Sequence, residues 1–201
     1  ASVGRIPCID IIGRFFRGIS SPLIASGIPQ KAAGLLEYSG CHGDAYLLRR
    51  SLYMPWEIGS ILGEDMAREG LSKLAVRTRL NDSQNLIQEP KAKISALEMS
   101  WYMRNQLLRD ADWAGMAHGV EIRVPFVDLI LFKALAGAIA KGKGPNKQAM
   151  VKTPNKIVPK SILNRAKSGF CVPISEWINA GHGEERGLRG WAKVVYQSQI
   201  S

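Results

Sequence analysis

The stretch that decides the fold class spans residues 96–140 and reads ALEMSWYMRNQLLRDADWAGMAHGVEIRVPFVDLILFKALAGAIA. Its first half predicts a helix over residues 96–116, because apolar side chains recur at helical spacing, at Leu97, Trp101, Leu108 and Trp113. Pro125 ends this helix or its successor, since proline has no amide hydrogen to donate within a helix. Residues 129–140 predict a second helix, which ends before two glycines.

The residues upstream of this stretch predict further helix and one short strand. A short helix is expected near Ile9–Phe16, and an amphipathic helix is expected from Pro55 onward. The amphipathic helix follows from apolar residues spaced i, i+3, i+4 and i+8, at Ile58, Ile61, Leu62 and Met66. The apolar run Leu35–Tyr38 ends in Ser39 and Gly40, and it predicts a buried strand followed by a turn.

The residues downstream predict short helical turns and a flexible tail. The turns are expected at residues 146–151, 159–164 and 173–178, and in two of them proline stands where a first helical residue is tolerated. The glycine-rich residues 181–190 predict a flexible segment. The sequence therefore predicts a mainly α chain with one or two short strands, in a single domain over residues 1–201.

The composition excludes several classes of protein. The chain has 201 residues, 46% of them hydrophobic and 22% charged, which is typical of a globular protein and argues against intrinsic disorder. No apolar run approaches the roughly 20 residues that a membrane-spanning helix needs, and the first residues lack the pattern of a signal peptide. Three cysteines far apart in the sequence argue against a disulfide framework. We therefore expect a reducing, cytoplasmic location and no membrane partner.

The positive charge of the chain is concentrated in one segment. The formal net charge is +10, and residues 129–175 contain no acidic residue and nine basic ones: Lys133, Lys141, Lys143, Lys147, Lys152, Lys156, Lys160, Arg165 and Lys167. Three interpretations are open: a solvated face, a surface that neutralises nucleic-acid phosphates, or a site for a small polyanion such as a nucleotide triphosphate. Few aromatic residues lie among these cations, which disfavours a single-strand binder. Composition does not choose among the three.

Other patterns that carry chemistry are weak in this sequence. Cys41 and His42 are adjacent in sequence, so their side chains are expected to point apart, whereas a catalytic pair must meet in space. The three histidines are isolated, and no Cys-x-x-Cys or His-x-x-x-His spacing is present. The sequence therefore predicts no metal site built from these ligands.

Three segments, in the same order along the chain, resemble one enzyme family. Residues 108–128 (LRDADWAGMAHGVEIRVPFVD) resemble the central motif of the asparagine synthases, and residues 162–170 (ILNRAKSGF) resemble their I-L-x-R-x-K-x-G-F motif. Residues 39–45 (SGCHGDA) resemble their S-G-[ED]-G-x-D-E loop less closely. The similarity covers about residues 20–180, and its family is the glutamine-hydrolysing asparagine synthase type of amidotransferase.

This resemblance implies the C-terminal portion of an α/β adenine-nucleotide alpha-hydrolase-like (PP-loop ATPase) domain. It also implies an ATP-dependent amide ligase that uses ATP and Mg²⁺ to adenylate a carboxylate, typically that of aspartate, which ammonia from glutamine then attacks. Lys167 matches the family lysine that stabilises the departing pyrophosphate, as a fixed cation can. Ser39 and Gly40 match the turn that contacts the nucleotide. Asp44 matches an acidic position of the nucleotide site, expected two residues before the next helix.

The chain departs from the family pattern at three loop positions. Cys41 stands in place of an acidic residue, His42 in place of a glycine and Ala45 in place of a glutamate. The family's S-G-G-x-D-S PP-loop and its N-terminal glutaminase domain are absent from these 201 residues. We therefore expect a C-terminal part of a synthetase domain, completed by a glutaminase domain and inactive alone. The alternative is a degenerate, non-catalytic member that serves as an interaction or regulatory module.

The resemblance narrows the role of the basic segment and leaves the other motif residues with structural roles. Only Lys167 is expected to act in catalysis, so we expect no nucleic-acid partner, and a homodimer is compatible with the pattern. The charged residues of the central motif are expected to form buried ion pairs: Arg109, Asp110, Asp112, Glu121, Arg123 and Asp128. Trp113 and Phe126 are expected in the core.

Overall fold

The computed structural model describes residues 11–15, 18, 30–156, 158–166 and 187–200. These residues fall into two compact units. The first contains the described residues up to Arg49 together with Ala75–Met150, and the second contains Arg50–Leu74 and the described residues from Val151 onward.

All the regular elements in the described residues are helical, which confirms the mainly α prediction. Residues 11–15 are helical, as expected near Ile9–Phe16. A 3₁₀ helix (Gln30–Gly34) follows them in the described chain, and a π-helix (Glu98–Leu108) lies between α6 and α7. The α-helices are α1 (Leu35–Tyr38), α2 (His42–Arg50), α3 (Pro55–Leu62), α4 (Glu64–Leu74), α5 (Val76–Asp82), α6 (Pro90–Leu97), α7 (Arg109–Met116), α8 (Leu129–Ala140), α9 (Lys147–Val151), α10 (Lys160–Leu163) and α11 (Gly187–Ile200). None of the described helices is both long and apolar enough to cross a membrane.

The strand predicted at Leu35–Tyr38 is wrong, because these residues form the short helix α1. The residues before it are rich in alanine and continue without a break from a 3₁₀ helix into α1, and leucine and glutamate are good helix formers. Glu37 and Tyr38 are buried whereas Leu35 is exposed, so the apolar run does not form one buried face. No strand occurs elsewhere in the described ranges.

The amphipathic stripe predicted from Pro55 onward is divided between two helices. Gly63 has a φ of 86°, a conformation that glycine adopts without strain, and it separates α3 from α4. Met66 therefore lies on a different helix from Ile58, and its side chain is exposed. The periodicity could not reveal this break, because the apolar spacing continues across it.

The helix predicted over residues 96–116 is part of a longer helical run that begins at Pro90. The Glu89 carboxylate accepts a hydrogen bond from the Ala92 amide at 2.5 Å and caps the start. The run ends at Met116, well before Pro125. Glycine ends it: Gly119 has a φ of 66°, and a side chain at Gly115 would meet the Val120 carbonyl oxygen at 2.6 Å.

The helix predicted over residues 129–140 is confirmed as α8. Asp128 caps its start by accepting a hydrogen bond from the Leu131 amide at 2.8 Å. Gly142, with a φ of 69°, follows its end, and the Lys143 amide bonds back to the Ala138 carbonyl at 2.8 Å. These contacts lie at the ends of α8 itself, so both boundaries of the helix could be predicted from neighbouring residues.

The expected burial of the central motif is wrong. Trp113 is 64% exposed and Phe126 is 74% exposed. The core of the first unit lies elsewhere and is formed by Tyr46, Leu80 and Leu97, with Leu47, Val76 and Trp101 packed against them. The motif therefore shapes the chain between α7 and α8 without forming this core.

The expected buried ion pairs of the central motif are wrong as well. Arg123 and Glu121 form a pair at 3.2 Å with both side chains exposed, and Arg109 lies 4.0 Å from an exposed Asp110. Asp128 acts as a helix cap. Exposed pairs of this kind contribute little to stability because water solvates both charges.

The last helix contradicts part of the flexible-tail prediction, since Gly187 and Gly190 belong to the first turns of α11. The turns expected at 146–151 and 159–164 contain the short helices α9 and α10. The turn expected at 173–178 and the cysteines Cys8 and Cys171 lie outside the described residues.

One arginine of α11 attaches this helix to the segment before α3. The Arg189 guanidinium donates to the Leu52 carbonyl at 2.9 Å and to Glu57 Oε1 at 2.7 Å, and it lies 4.0 Å from the centre of the Tyr53 ring. The Tyr53 hydroxyl donates in return to the Arg189 carbonyl at 2.7 Å. The Glu57 side chain is 9% exposed, so Arg189 compensates a buried carboxylate.

We expect Arg189→Ala to lower the free energy of unfolding by about 3 kcal/mol, because it leaves Glu57 buried without its cation. Arg68→Ala is the matched control, since Arg68 pairs with Asp65 on the surface of the same unit, and it should cost less than about 0.5 kcal/mol. Urea unfolding followed by far-UV circular dichroism measures both. Equal losses in the two variants would contradict the assignment.

Candidate functional site

The turn between α1 and α2 contains Ser39 and Gly40, two of the residues predicted to bind nucleotide. Both are exposed. The Ser39 hydroxyl donates to the Leu36 carbonyl at 3.1 Å, so the end of α1 fixes its position. A second molecule can approach the backbone and the hydroxyl oxygen of this turn.

Asp44, the third residue predicted to bind nucleotide, lies inside α2 and not two residues before it. The helix begins at His42, earlier than the pattern indicated. Asp44 is buried, and both of its carboxylate oxygens accept hydrogen bonds from Arg77 of α5, at 3.0 Å from Nε and 2.6 Å from Nη2. A paired arrangement of this kind is among the strongest contacts between side chains.

A second buried carboxylate, Glu37, lies next to this pair. Its Oε1 lies 3.3 Å from the Arg14 guanidinium and 4.0 Å from that of Arg77, and its side chain is only 4% exposed. Arg77 also lies over the Tyr38 ring, 4.7 Å from its centre. The hydrogen bonds that Arg77 donates to Asp44 raise the pKa of Arg77 further above its usual range, so the cation of this cluster is permanent.

Cys41 connects the turn to α5. Its thiol donates to Asn81 Oδ1 at 3.1 Å, and its sulfur accepts a hydrogen bond from the Asp44 amide at 3.4 Å. Burial raises the pKa of the Cys41 thiol, and the Asp44 charge adds to the effect. The group is therefore a neutral thiol near pH 7, which is the form that can donate to Asn81. Gly43 allows this approach, because a Cβ there would lie 2.2 Å from Asn81 Oδ1.

These donors do not fit Mg²⁺, which prefers carboxylate oxygens and water. Cys41 offers a neutral sulfur in place of the family's acidic residue, and both oxygens of Asp44 are bonded to Arg77. Within the described part of the chain, no group of three His, Cys, Asp or Glu side chains could hold a metal ion.

The predicted catalytic residue, Lys167, lies outside the described residues, so its position relative to the turn stays a prediction. The eight other basic residues of the 129–175 segment are described and exposed. Their exposure agrees with the interpretation of this basic segment as a solvated face.

Sequence reasoning missed the residues that hold the turn in place, Arg77, Asn81 and Glu37. Arg77 is separated from Asp44 by 33 positions and Asn81 from Cys41 by 40. Neither Arg77 nor Asn81 belongs to a motif on which the family resemblance rests. No local pattern in the sequence indicates these partners. A buried carboxylate requires a cation or hydrogen-bond donors, but the burial of Glu37 and Asp44 is seen only in the structure.

A cavity of about 450 Å³ lies beside the turn, on the side formed by α1 and α2. Ser39 and Ala45 both line it. The loop that resembles the family motif therefore lies beside a cavity large enough for a small molecule.

The comparison with protein families identifies the family of this chain. The sequence profile named Asparagine synthase matches residues 32–192, which include the turn, α2, the central motif and the position of Lys167. The chain belongs to the asparagine synthase family.

Individual relatives agree with the family profile. The chain is 35% identical over 108 residues to Asparagine synthetase (glutamine-hydrolyzing) 1 of Bacillus subtilis (strain 168), a match that covers 52% of the chain and 16% of that protein. It is 35% identical over 114 residues to the Putative asparagine synthetase (glutamine-hydrolyzing) of Mycobacterium bovis, covering 55% of the chain and 17% of that protein. The match thus spans about a sixth of the length of these curated relatives. No solved structure matches the chain significantly.

We expect Arg77→Met to lower the free energy of unfolding by about 3 kcal/mol, because it leaves the buried Asp44 carboxylate without its paired cation. Arg79→Met, on the same helix, is the matched control. Arg79 is exposed and lies 5.7 Å from the Trp101 ring centre, a contact that contributes about 0.5–1 kcal/mol. Urea unfolding measures both variants, and similar losses would contradict the role of Arg77.

The raised pKa of Cys41 predicts a loss of stability at alkaline pH. The unfolded chain releases this proton near pH 8.5, whereas the folded chain keeps it to higher pH, so the contribution is complete below about 8.5 and is lost as pH rises through the folded pKa. Between about pH 8 and 10, the parent should lose stability relative to Cys41→Ser, with Cys8 and Cys171 changed to Ser in both proteins. Parallel stability curves would contradict the raised pKa.

Proposed function

We propose that this chain forms the C-terminal helical part of the synthetase site of an ATP-dependent amide ligase. In this proposal ATP activates a carboxylate of the aspartate type by adenylation, and ammonia derived from glutamine then forms the amide. The match of the family profile to residues 32–192 supports the proposal most directly, because it includes both the turn at Ser39 and Lys167. The same match supports a PP-loop ATPase fold for the intact domain.

The turn is the part of the described chain that suits a nucleotide. Ser39 and Gly40 are exposed and their geometry is fixed by the end of α1 and by the contacts of Cys41. We assign them the contact to ATP through the hydroxyl and the backbone. Asp44 supports the turn from inside α2, and a direct contact between its carboxylate and the nucleotide would require the Arg77 pair to open.

Lys167 is assigned the role of stabilising the pyrophosphate that leaves during adenylation, since negative charge develops there in the transition state. Mg²⁺, which the family implies, does not fit the donors of Cys41 and Asp44, so no step through the ion is assigned to this loop. A glutaminase domain, a homodimer and a cytoplasmic location remain predictions.

A second candidate is a non-catalytic module that keeps the family fold as an interaction or regulatory unit. One observation favours it: the thiol at the family's acidic position and the carboxylate that follows it both bond within the protein, to Asn81 and to Arg77. A loop whose polar groups already bond within the protein offers fewer groups for binding a metal–nucleotide complex.

ATP–pyrophosphate exchange with aspartate distinguishes the two candidates. We expect no exchange from the 201-residue chain alone, and exchange from a fusion that joins it to the glutaminase and S-G-G-x-D-S segments of an active relative. A fusion that binds ATP without exchange would support the module. ATP–pyrophosphate exchange by the 201-residue chain alone would contradict the proposal that other segments complete the synthetase site.

Lys167→Ala in the active fusion should lower the exchange rate by about 100-fold or more, with little change in the unfolding midpoint. Lys160→Ala is the matched control, since Lys160 is an exposed lysine seven positions earlier. Equal exchange rates in the two variants would remove Lys167 from the reaction.

A further inference from the structure

The cavity beside the turn has a mostly apolar wall. Ala32, Leu35, Ala45 and Leu48 contribute to it from the 3₁₀ helix, α1 and α2, all within the first unit. A volume of about 450 Å³ lies within the range of cavities that bind small molecules. Water gains few hydrogen bonds on such a wall, so an apolar group that replaces it is stabilised.

Two cations line the same cavity, Lys31 and Arg49, and no acidic residue of the described chain does. The Lys31 ammonium donates to the Arg49 carbonyl at 3.3 Å, which holds its position next to α2. An ammonium has three hydrogens to donate and a guanidinium has five, so both groups can also donate to an anion. The two carboxylates nearest in sequence, Glu37 and Asp44, are engaged by Arg77.

Ala45 makes the wall compatible with an anion. It stands at the position where the family loop carries a glutamate, and here Ala45 lines the cavity. A glutamate at this position would add a negative charge and a polar surface. Alanine adds neither the negative charge nor the polar surface. The cavity therefore favours an anion with an apolar body.

We propose that this cavity binds an amphipathic carboxylate, whose apolar body contacts Ala45, Leu35 and Leu48 while its carboxylate meets Lys31 and Arg49. Free aspartate is a poor fit, because it has two charged ends and no apolar body to bury. The site adjoins the proposed nucleotide contact at Ser39 and Gly40, and Ser39 lines the cavity as well. The proposal does not depend on ligase activity, since it concerns binding alone.

Isothermal titration of the 201-residue chain with three probes tests the chemistry. Decanoate has the apolar body and the anion, and decyltrimethylammonium has a similar alkyl chain with a cation. Aspartate has two carboxylates and an ammonium but no apolar body. We expect saturable binding of one decanoate, at least about tenfold weaker binding of the cationic probe, since like charges then meet, and no measurable binding of aspartate. Equal affinity for the two decyl probes would overturn the proposal.

Two pairs of variants locate the site. Ala45→Glu should weaken decanoate binding about tenfold or more through like-charge repulsion, whereas Ala134→Glu, the same change on exposed α8, should not. Arg49→Gln should weaken binding and Arg104→Gln, at an exposed arginine of the same unit, should not. Circular dichroism confirms that each variant is folded. Unchanged affinity in folded Ala45→Glu, or weaker binding in Ala134→Glu, would overturn the assignment.

Discussion

The guanidinium of Arg77 is the group on which the candidate site depends. It compensates Asp44 through two hydrogen bonds and lies near Glu37, and both carboxylates are buried. Removing two carboxylates from water is costly without a cation. The pair links α5 to α2, and the approach to Glu37 places α1 beside them. The Ser39–Gly40 turn lies between α1 and α2. The ion pair therefore determines the position of this exposed turn.

The motif residues of this family member shape the chain more than they fill its core. Gly115 and Gly119 end the long helical run, and Asp128 starts α8. Trp113 and Phe126 are exposed instead. At the loop, Cys41 replaces an acidic residue of the family pattern with a neutral thiol, and the thiol bonds to Asn81.

The sequence predicted those features that depend on neighbouring residues. The bounds of α8 follow from a capping aspartate and a terminal glycine, which act within a few positions. The strand predicted at Leu35–Tyr38 was wrong because a short apolar run suits either a strand or a helix. The partners of Asp44 and Cys41 could not be found, because they lie 33 and 40 positions away. The family resemblance supplied Ser39 and Gly40, but no local pattern indicated Arg77.

The Arg77–Asp44 pair holds the exposed Ser39–Gly40 turn in place for the proposed contact with a nucleotide. A ¹⁵N NMR titration of the chain with ATP, with and without Mg²⁺, tests this role most directly. We expect the Ser39 and Gly40 amide signals to shift with ATP, while the Arg77 Nε–H signal stays in place and remains protected from exchange. A shift of the Arg77 Nε–H signal on adding Mg²⁺, with the Ser39 and Gly40 amides unmoved, would contradict it.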